Sequence, residues 1–163
     1  FGNPFAWSAQ DTSPLFETEI GQYEVDAVGF NGNSSTVGVT VSPELEKDQL
    51  ELIELETDTT RVLTIEELDL SAGRPTLHFV GNGKLLILTQ NNGLVRYAVV
   101  DIDEEQLVLT YETADQEPPF SVDMHRTRLA IRDGSTVVIF SLETGDMMTT
   151  INLPTEGPMP PLT

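Results

Sequence analysis

"FSLETGDMMTTI", residues 140–151, has the form of two short strands around a turn. An apolar run ends at Leu142, Glu143-Thr144-Gly145-Asp146 turns, and a second run begins at Met147. The pattern recurs. "VDIDEEQLVLTY" at 100–111 matches it without a gap, and "IELETDTTRVLTI" at 53–65 matches it with one extra residue. The starts, Ile53, Val100 and Phe140, lie 47 and 40 residues apart. A chain built of copies at such a period stacks similar units, and its work is expected from a surface more than from a catalytic pocket.

Each unit divides into four short alternating or apolar runs separated by turn residues, as four antiparallel strands would. The third copy reads "FSVDM", "RLAIR", "TVVIFSL" and "MMTTINL", with "DGS" as a tight hairpin in which Gly134 takes positive φ at no steric cost. The second reads "LHFV", "KLLILTQ", "LVRYAVVDI" and "LVLTYE", and Asn92-Gly93 is the dipeptide most expected of a two-residue hairpin loop. The first reads "DAVGF", "TVGVTV", "LELIEL" and "RVLTI", with a longer insertion, "SPELEKD", where the other copies turn tightly. The stretch "SPELEKDQLELIELE" has two readings, a strand in register with the other copies and a short helix capped by its Ser-Pro-acidic start.

"STVVIFSLETGDMMTTI" resembles the third and fourth strands of a WD-repeat blade, in which a Trp-Asp pair is followed by leucine and a Glu-Thr-Gly turn. Phe140-Ser141, Val100-Asp101 and Ile53-Glu54 occupy the Trp-Asp position, and no Gly-His pair opens a unit. Residues 74–153 carry the likeness in two units and residues 21–70 more weakly. The resemblance implies an all-β fold, a partial β-propeller of about three four-stranded antiparallel blades over 21–70, 74–115 and 118–153. Propellers close with about four to eight blades. Three therefore leave two blade faces and their edges to be met by further chain, a second copy or another subunit. Residues 1–20, with Phe1, Phe5, Trp7, Leu15 and Phe16, are expected to cover one open face. The proline-rich 154–163 reads as a tail or linker.

Composition narrows the function. Of 163 residues 39% are apolar, enough for one core, while 27 acidic against 8 basic residues give a formal charge of -19. That charge repels phosphate backbones and anionic membrane surfaces, so neither nucleic acid nor membrane is an expected partner. Without Cys there is no disulfide and no thiolate chemistry, and the compartment stays undetermined. No apolar run reaches the roughly 18 residues of a membrane span.

Four groups of residues are candidates for chemistry or binding. Asp101, Asp103, Glu104 and Glu105 supply alternating carboxylates of the type that ligates calcium, and they equally suit a solvated hairpin turn. The loop lacks the central Gly and distal Glu of an EF-hand. His78 and His125 are the only histidines, and Asp123, two residues before His125, shares its face if the segment is extended. No Ser or Cys in a strained, glycine-flanked setting accompanies them, which favours a hydrogen-bonded turn over catalysis. Arg126, Arg128 and Arg132 gather three of the eight basic residues, and Arg128 and Arg132 share a face of one strand. Such guanidinium groups either grip a partner's carboxylates or neutralise the chain's own acids, Glu143 and Asp146 for example. The insertion, with Glu44, Glu46, Lys47 and Asp48, is the second candidate partner-binding element.

These residues predict a non-enzymatic propeller segment, without cofactor or metal, that binds a protein partner or self-associates through its open blade edges. The alternative is a secreted or periplasmic ligand-binding or hydrolytic propeller whose catalytic or metal residues lie in further chain.

Overall fold

The computed structural model describes residues 25–42, 44–71, 75–114 and 119–154, together with the backbone of 5–7 and 14–17. Strands β1 (Phe5–Trp7) and β2 (Pro14–Glu17) form an antiparallel pair. The side chains expected to cover an open face lie outside the described residues, as do 155–163.

The remaining strands form three four-stranded antiparallel sheets, each in sequence order. The first holds β3 (Ala27–Phe30), β4 (Thr36–Thr40), β5 (Gln49–Glu54) and β6 (Thr59–Thr64). The second holds β7 (Thr76–Gly81), β8 (Lys84–Asn91), β9 (Leu94–Asp101) and β10 (Gln106–Thr113). The third holds β11 (Phe120–Val122), β12 (Arg128–Asp133), β13 (Thr136–Ser141) and β14 (Met147–Asn152). There is no helix among the described residues, and 49–54 is a strand, which decides between the two readings of "SPELEKDQLELIELE".

The turn that revealed the repeat is the same in all three sheets. Asp58, Glu105 and Gly145 hold the same place in it, each with positive φ (52°, 52° and 75°). The buried residue before the turn, Leu55, Ile102 or Leu142, donates its backbone N–H to a carbonyl at the start of the second strand, that of Thr36, Gly83 or Thr127, at 3.0, 2.9 and 2.8 Å. No extra residue lies in the first copy's turn. The copies differ in length inside the fourth strand, where β10 and β14 change register next to Val108 and Met148 and β6 does not. Asn92-Gly93 closes the β8–β9 hairpin with φ of 51° and 82°, as its sequence predicts.

Two apolar layers separate three sheets. Leu85, Ile87, Ala98 and Val100 of the middle sheet pack towards Val37, Val39, Leu50 and Leu52 of the first. Leu86, Val95, Tyr97 and Val99, on its other face, pack towards Leu129, Ile131, Val138 and Phe140 of the third. Burial on both faces explains why β8 and β9 read as continuous apolar runs and not as an alternation. The first strands approach most closely, and a side chain at Gly29 of β3 would overlap the Phe79 ring of β7. Sheets stacked face to face, with their first strands gathered together, form an arc of a β-propeller.

Candidate interaction site

An antiparallel meander puts the turns after its first and third strands at one end of the sheet, here the lower end. The turn between its second and third strands lies at the upper end. The three arginines are thereby separated, because β12 runs from the lower end to the upper. Arg126 sits in the β11–β12 turn at the lower end. Arg128 and Arg132 flank Ala130 on the face of β12 opposite the buried Leu129 and Ile131. They share a face as expected, and that face looks away from the second sheet.

This far face belongs to neither core cluster of the described residues, and Ala130, Val137 and Ile139 on it are half-buried. Across the strands Arg128, Ala130 and Arg132 pair with Ser141, Ile139 and Val137, and Ile139 and Val137 pair with Thr149 and Ile151. Every residue of β14 is exposed, and Ile151 retains 49% of its accessible surface. Arg132 donates through Nε to the carbonyl of Gly134 at 3.1 Å, whereas Arg128 makes no ion pair among the described residues. In the second sheet the residue matching Arg128 is Lys84, and it pairs with Asp101 across the strand. In the third sheet the residue opposite Arg128 is Ser141, which has no charge to offer.

At the lower end, the two junctions between sheets are built differently. At the first, Asp103 accepts the backbone N–H of Gly32 through Oδ2 at 2.5 Å. The Gly83 N–H reaches the Phe30 carbonyl at 2.8 Å, and Arg61 pairs with Glu105 at 2.7 Å. Asp103 Oδ2 thereby lies between Gly32 and Gly83. At the second junction the residue matching Asp103 is Glu143, and a cleft of about 340 Å³ stays open. Asn82 and Lys84 line it from the second sheet, and His125, Arg126, Thr127 and Glu143 from the third. Lys84 is held by Asp101. Arg126 has φ of 55° and an exposed side chain, without an ion pair among the described residues.

The acids of 101–105 do not converge on one point. Asp101 accepts Lys84 and the backbone N–H groups of Asp103 and Glu104, both at 3.0 Å. Burial raises its pKa, and those three donors more than offset the effect, so the carboxyl stays below its ordinary range. Asp103 binds Gly32, Glu104 accepts Gln106, and Glu105 pairs with Arg61. This is a hairpin turn that also locks two sheets together. Asp123 likewise closes its own turn, accepting the N–H groups of Thr127 and Arg128 at 2.7 and 3.0 Å and the Thr127 hydroxyl at 3.0 Å. The His78 ring packs at a tilt of 57° against Phe120 of the third sheet, ring centres 5.1 Å apart.

The insertion lies at the upper end of the first sheet, away from the arginines. Its backbone is structural, since the carbonyls of Lys47 and Asp48 accept the N–H groups of Leu70 and Ile65 at 2.7 and 2.9 Å. The side chains of Glu44, Glu46 and Lys47 are exposed. The expected partner-binding residues therefore occupy three places, the insertion, the lower cleft and the far face of the third sheet. Sequence reasoning missed the cross-sheet locks Asp103–Gly32 and Tyr111–Asp133, because their partners meet only once the sheets are stacked.

No protein-family model matches the chain, and no curated protein matches it. Solved structures do. The computationally designed Ika8 protein aligns at a TM-score of 0.50 and 15% identity, over 92% of this chain and 43% of its own. Apo AztD from Citrobacter koseri aligns at 0.49 and 14% over 86% and 39%. BamB from Moraxella catarrhalis aligns at 0.46 and 18% over 86% and 40%. The chain spans less than half the length of each, and likeness at such identity shows the fold alone.

Proposed function

We propose that the chain is an open propeller arc of divergent WD-like units, acting without catalysis as a platform for a protein partner. The observation that carries this reading is the far face of the third sheet, which lies outside both core clusters of the described residues. Ala130, Val137, Ile139 and Ile151 give it an apolar centre, and Arg128 and Arg132 flank that centre with charge. A surface of this kind suits a partner with apolar side chains framed by carboxylates. Pairing the face with its own copy would instead gather four guanidinium groups, so a different surface is favoured.

The WD-like reading draws support from the position of the Trp-Asp aspartate. There Asp101 and Ser141 each accept two backbone N–H groups of the following turn, and Glu54 accepts the Thr57 hydroxyl. The non-catalytic reading draws support from Asp123, whose carboxylate accepts the N–H groups of Thr127 and Arg128 in its own turn.

The test combines light scattering after size-exclusion chromatography with binding of a dye for apolar surface. A 17.9 kDa monomer whose dye binding Ile139→Glu abolishes supports the platform, and an associated species that Ile139→Glu returns to the monomer would overturn it in favour of self-pairing. A monomer whose dye binding is absent, or unchanged by Ile139→Glu, would overturn it.

A further inference from the structure

The repeat supplies its own control for the lower cleft. At the first junction a carboxylate of the chain, Asp103, occupies the space between the turns and accepts the Gly32 N–H. At the second junction no such bond forms among the described residues, Glu143 lines the cleft in the matching place, and Arg126 lines it as well. We propose that the cleft between the second and third sheets binds a peptide carboxylate, which takes there the part that Asp103 plays at the first junction.

Three features point to this ligand. Arg126, His125 and Asn82 all line the cleft, and of these three Arg126 carries the fixed positive charge. A planar guanidinium presents its N–H groups in a fork that matches a carboxylate. Lys84, the other cation, is already neutralised by Asp101, so Arg126 is the charge left for a ligand. Next, Arg126 holds a left-handed conformation, φ 55°, which costs a side-chain-bearing residue of order 1–2 kcal/mol. The position that matches Gly83 is Thr127, so the strain at Arg126 belongs to the longer β11–β12 turn, and strained residues of this kind cluster at ligand clamps. Finally, the chain carries -19 overall, which disfavours a polyanion, while Glu143 on the rim suits the N–H groups of a peptide backbone.

This site is independent of the partner proposed for the far face of the third sheet, and short peptides are too small to cover that face. The experiment is an NMR titration of the whole ¹⁵N-labelled chain with three peptides: acetyl-Ala-Glu-Ala-amide, acetyl-Ala-Ala-Ala with a free C-terminus, and acetyl-Ala-Gln-Ala-amide. Saturable shifts of the Asn82, Arg126 and Thr127 amides with the first or second peptide, and none with the third, are expected. The responding peptide tells whether a side-chain or a terminal carboxylate is read. Arg126→Gly should weaken binding at least tenfold and, by removing the strain, leave the melting temperature equal or higher. Absence of saturable shifts with both carboxylates, an equal response to the Gln peptide, or unchanged binding by Arg126→Gly would overturn the proposal.

Discussion

The Tyr111 hydroxyl donates to Oδ2 of Asp133 at 2.6 Å, and the Thr113 hydroxyl donates to Oδ1 of the same carboxylate at 2.7 Å. One side chain at the upper end of β12 thus fastens the outermost strand of the second sheet to the third. Tyr111→Phe keeps the ring against Phe140, 5.2 Å away, and deletes only the bond. Loss of a hydrogen bond to a charged acceptor at a half-buried site should cost about 1–2 kcal/mol, read from urea unfolding. The cost should largely disappear in an Asp133→Ala background, which removes the acceptor. An undiminished cost there would mean that the hydroxyl acts through something other than Asp133.

The same bond sets an alkaline limit. Burial first, and then the Asp133 carboxylate, push the Tyr111 pKa up to about 12. A folded-state pKa raised above the unfolded value near 10 contributes stability that is complete below pH 10 and lost as pH rises towards 12. The stability difference between wild type and Tyr111→Phe should therefore shrink between pH 10 and pH 12. A constant difference across that window would show that the phenol titrates normally.

Lys84 and Asp101 make a second test. Asp101 is 8% exposed, and Lys84→Met would leave its carboxylate with two turn N–H groups and no cation. Breaking a partly buried pair in this way should cost about 2–3 kcal/mol. Asp101→Asn removes the charge and keeps an oxygen for the turn, so it should cost less. The depressed carboxyl pKa adds stability present above the unfolded value near 4 and lost as pH falls below it. Thermal melts from pH 7 to pH 2.5 should show a shallower acid decline in Lys84→Met than in wild type. Parallel declines would mean that the lysine does not depress that pKa.

The strands were legible because each sheet is a local meander. Alternation, the Asn92-Gly93 and Gly134 turns and the repeated 140–151 pattern all depend on residues within one hairpin. The ungapped match of the second and third copies puts Glu105 where Gly145 stands, whereas the extra residue expected of the first copy is absent from its turn. What the sequence could not show depends on how the sheets stack. Arg126, Arg128 and Arg132 read as one cluster, and a turn followed by a two-residue alternation sends the first into a cleft and the other two to the opposite face. The acids 101–105 read as one loop, and stacking hands Asp103 and Glu105 to the first sheet while Asp101 stays with Lys84. Adjacent charges carry no label for which neighbour they will meet.

Gly145 separates backbone strain from sheet contact. At the matching turn position Asp58 and Glu105 bear side chains at φ of 52°, so the conformation alone is tolerated, at a cost of about 1–2 kcal/mol. At Gly145, with φ of 75°, an added Cβ would also overlap the Val108 carbonyl and lie 3.3 Å from the Leu109 Cβ. Gly145→Ala must therefore move β10 of the second sheet as well as strain its own turn, and its cost should reach about 2–4 kcal/mol. Glu105→Gly relieves strain of the same kind and removes an exposed pair with Arg61 worth at most about 1 kcal/mol. Its net effect should stay within about 1 kcal/mol of zero. Urea unfolding of the two variants compares them directly. If Gly145→Ala costs no more than the strain alone, β10 yields to the added methyl and the contact with the third sheet does not require glycine.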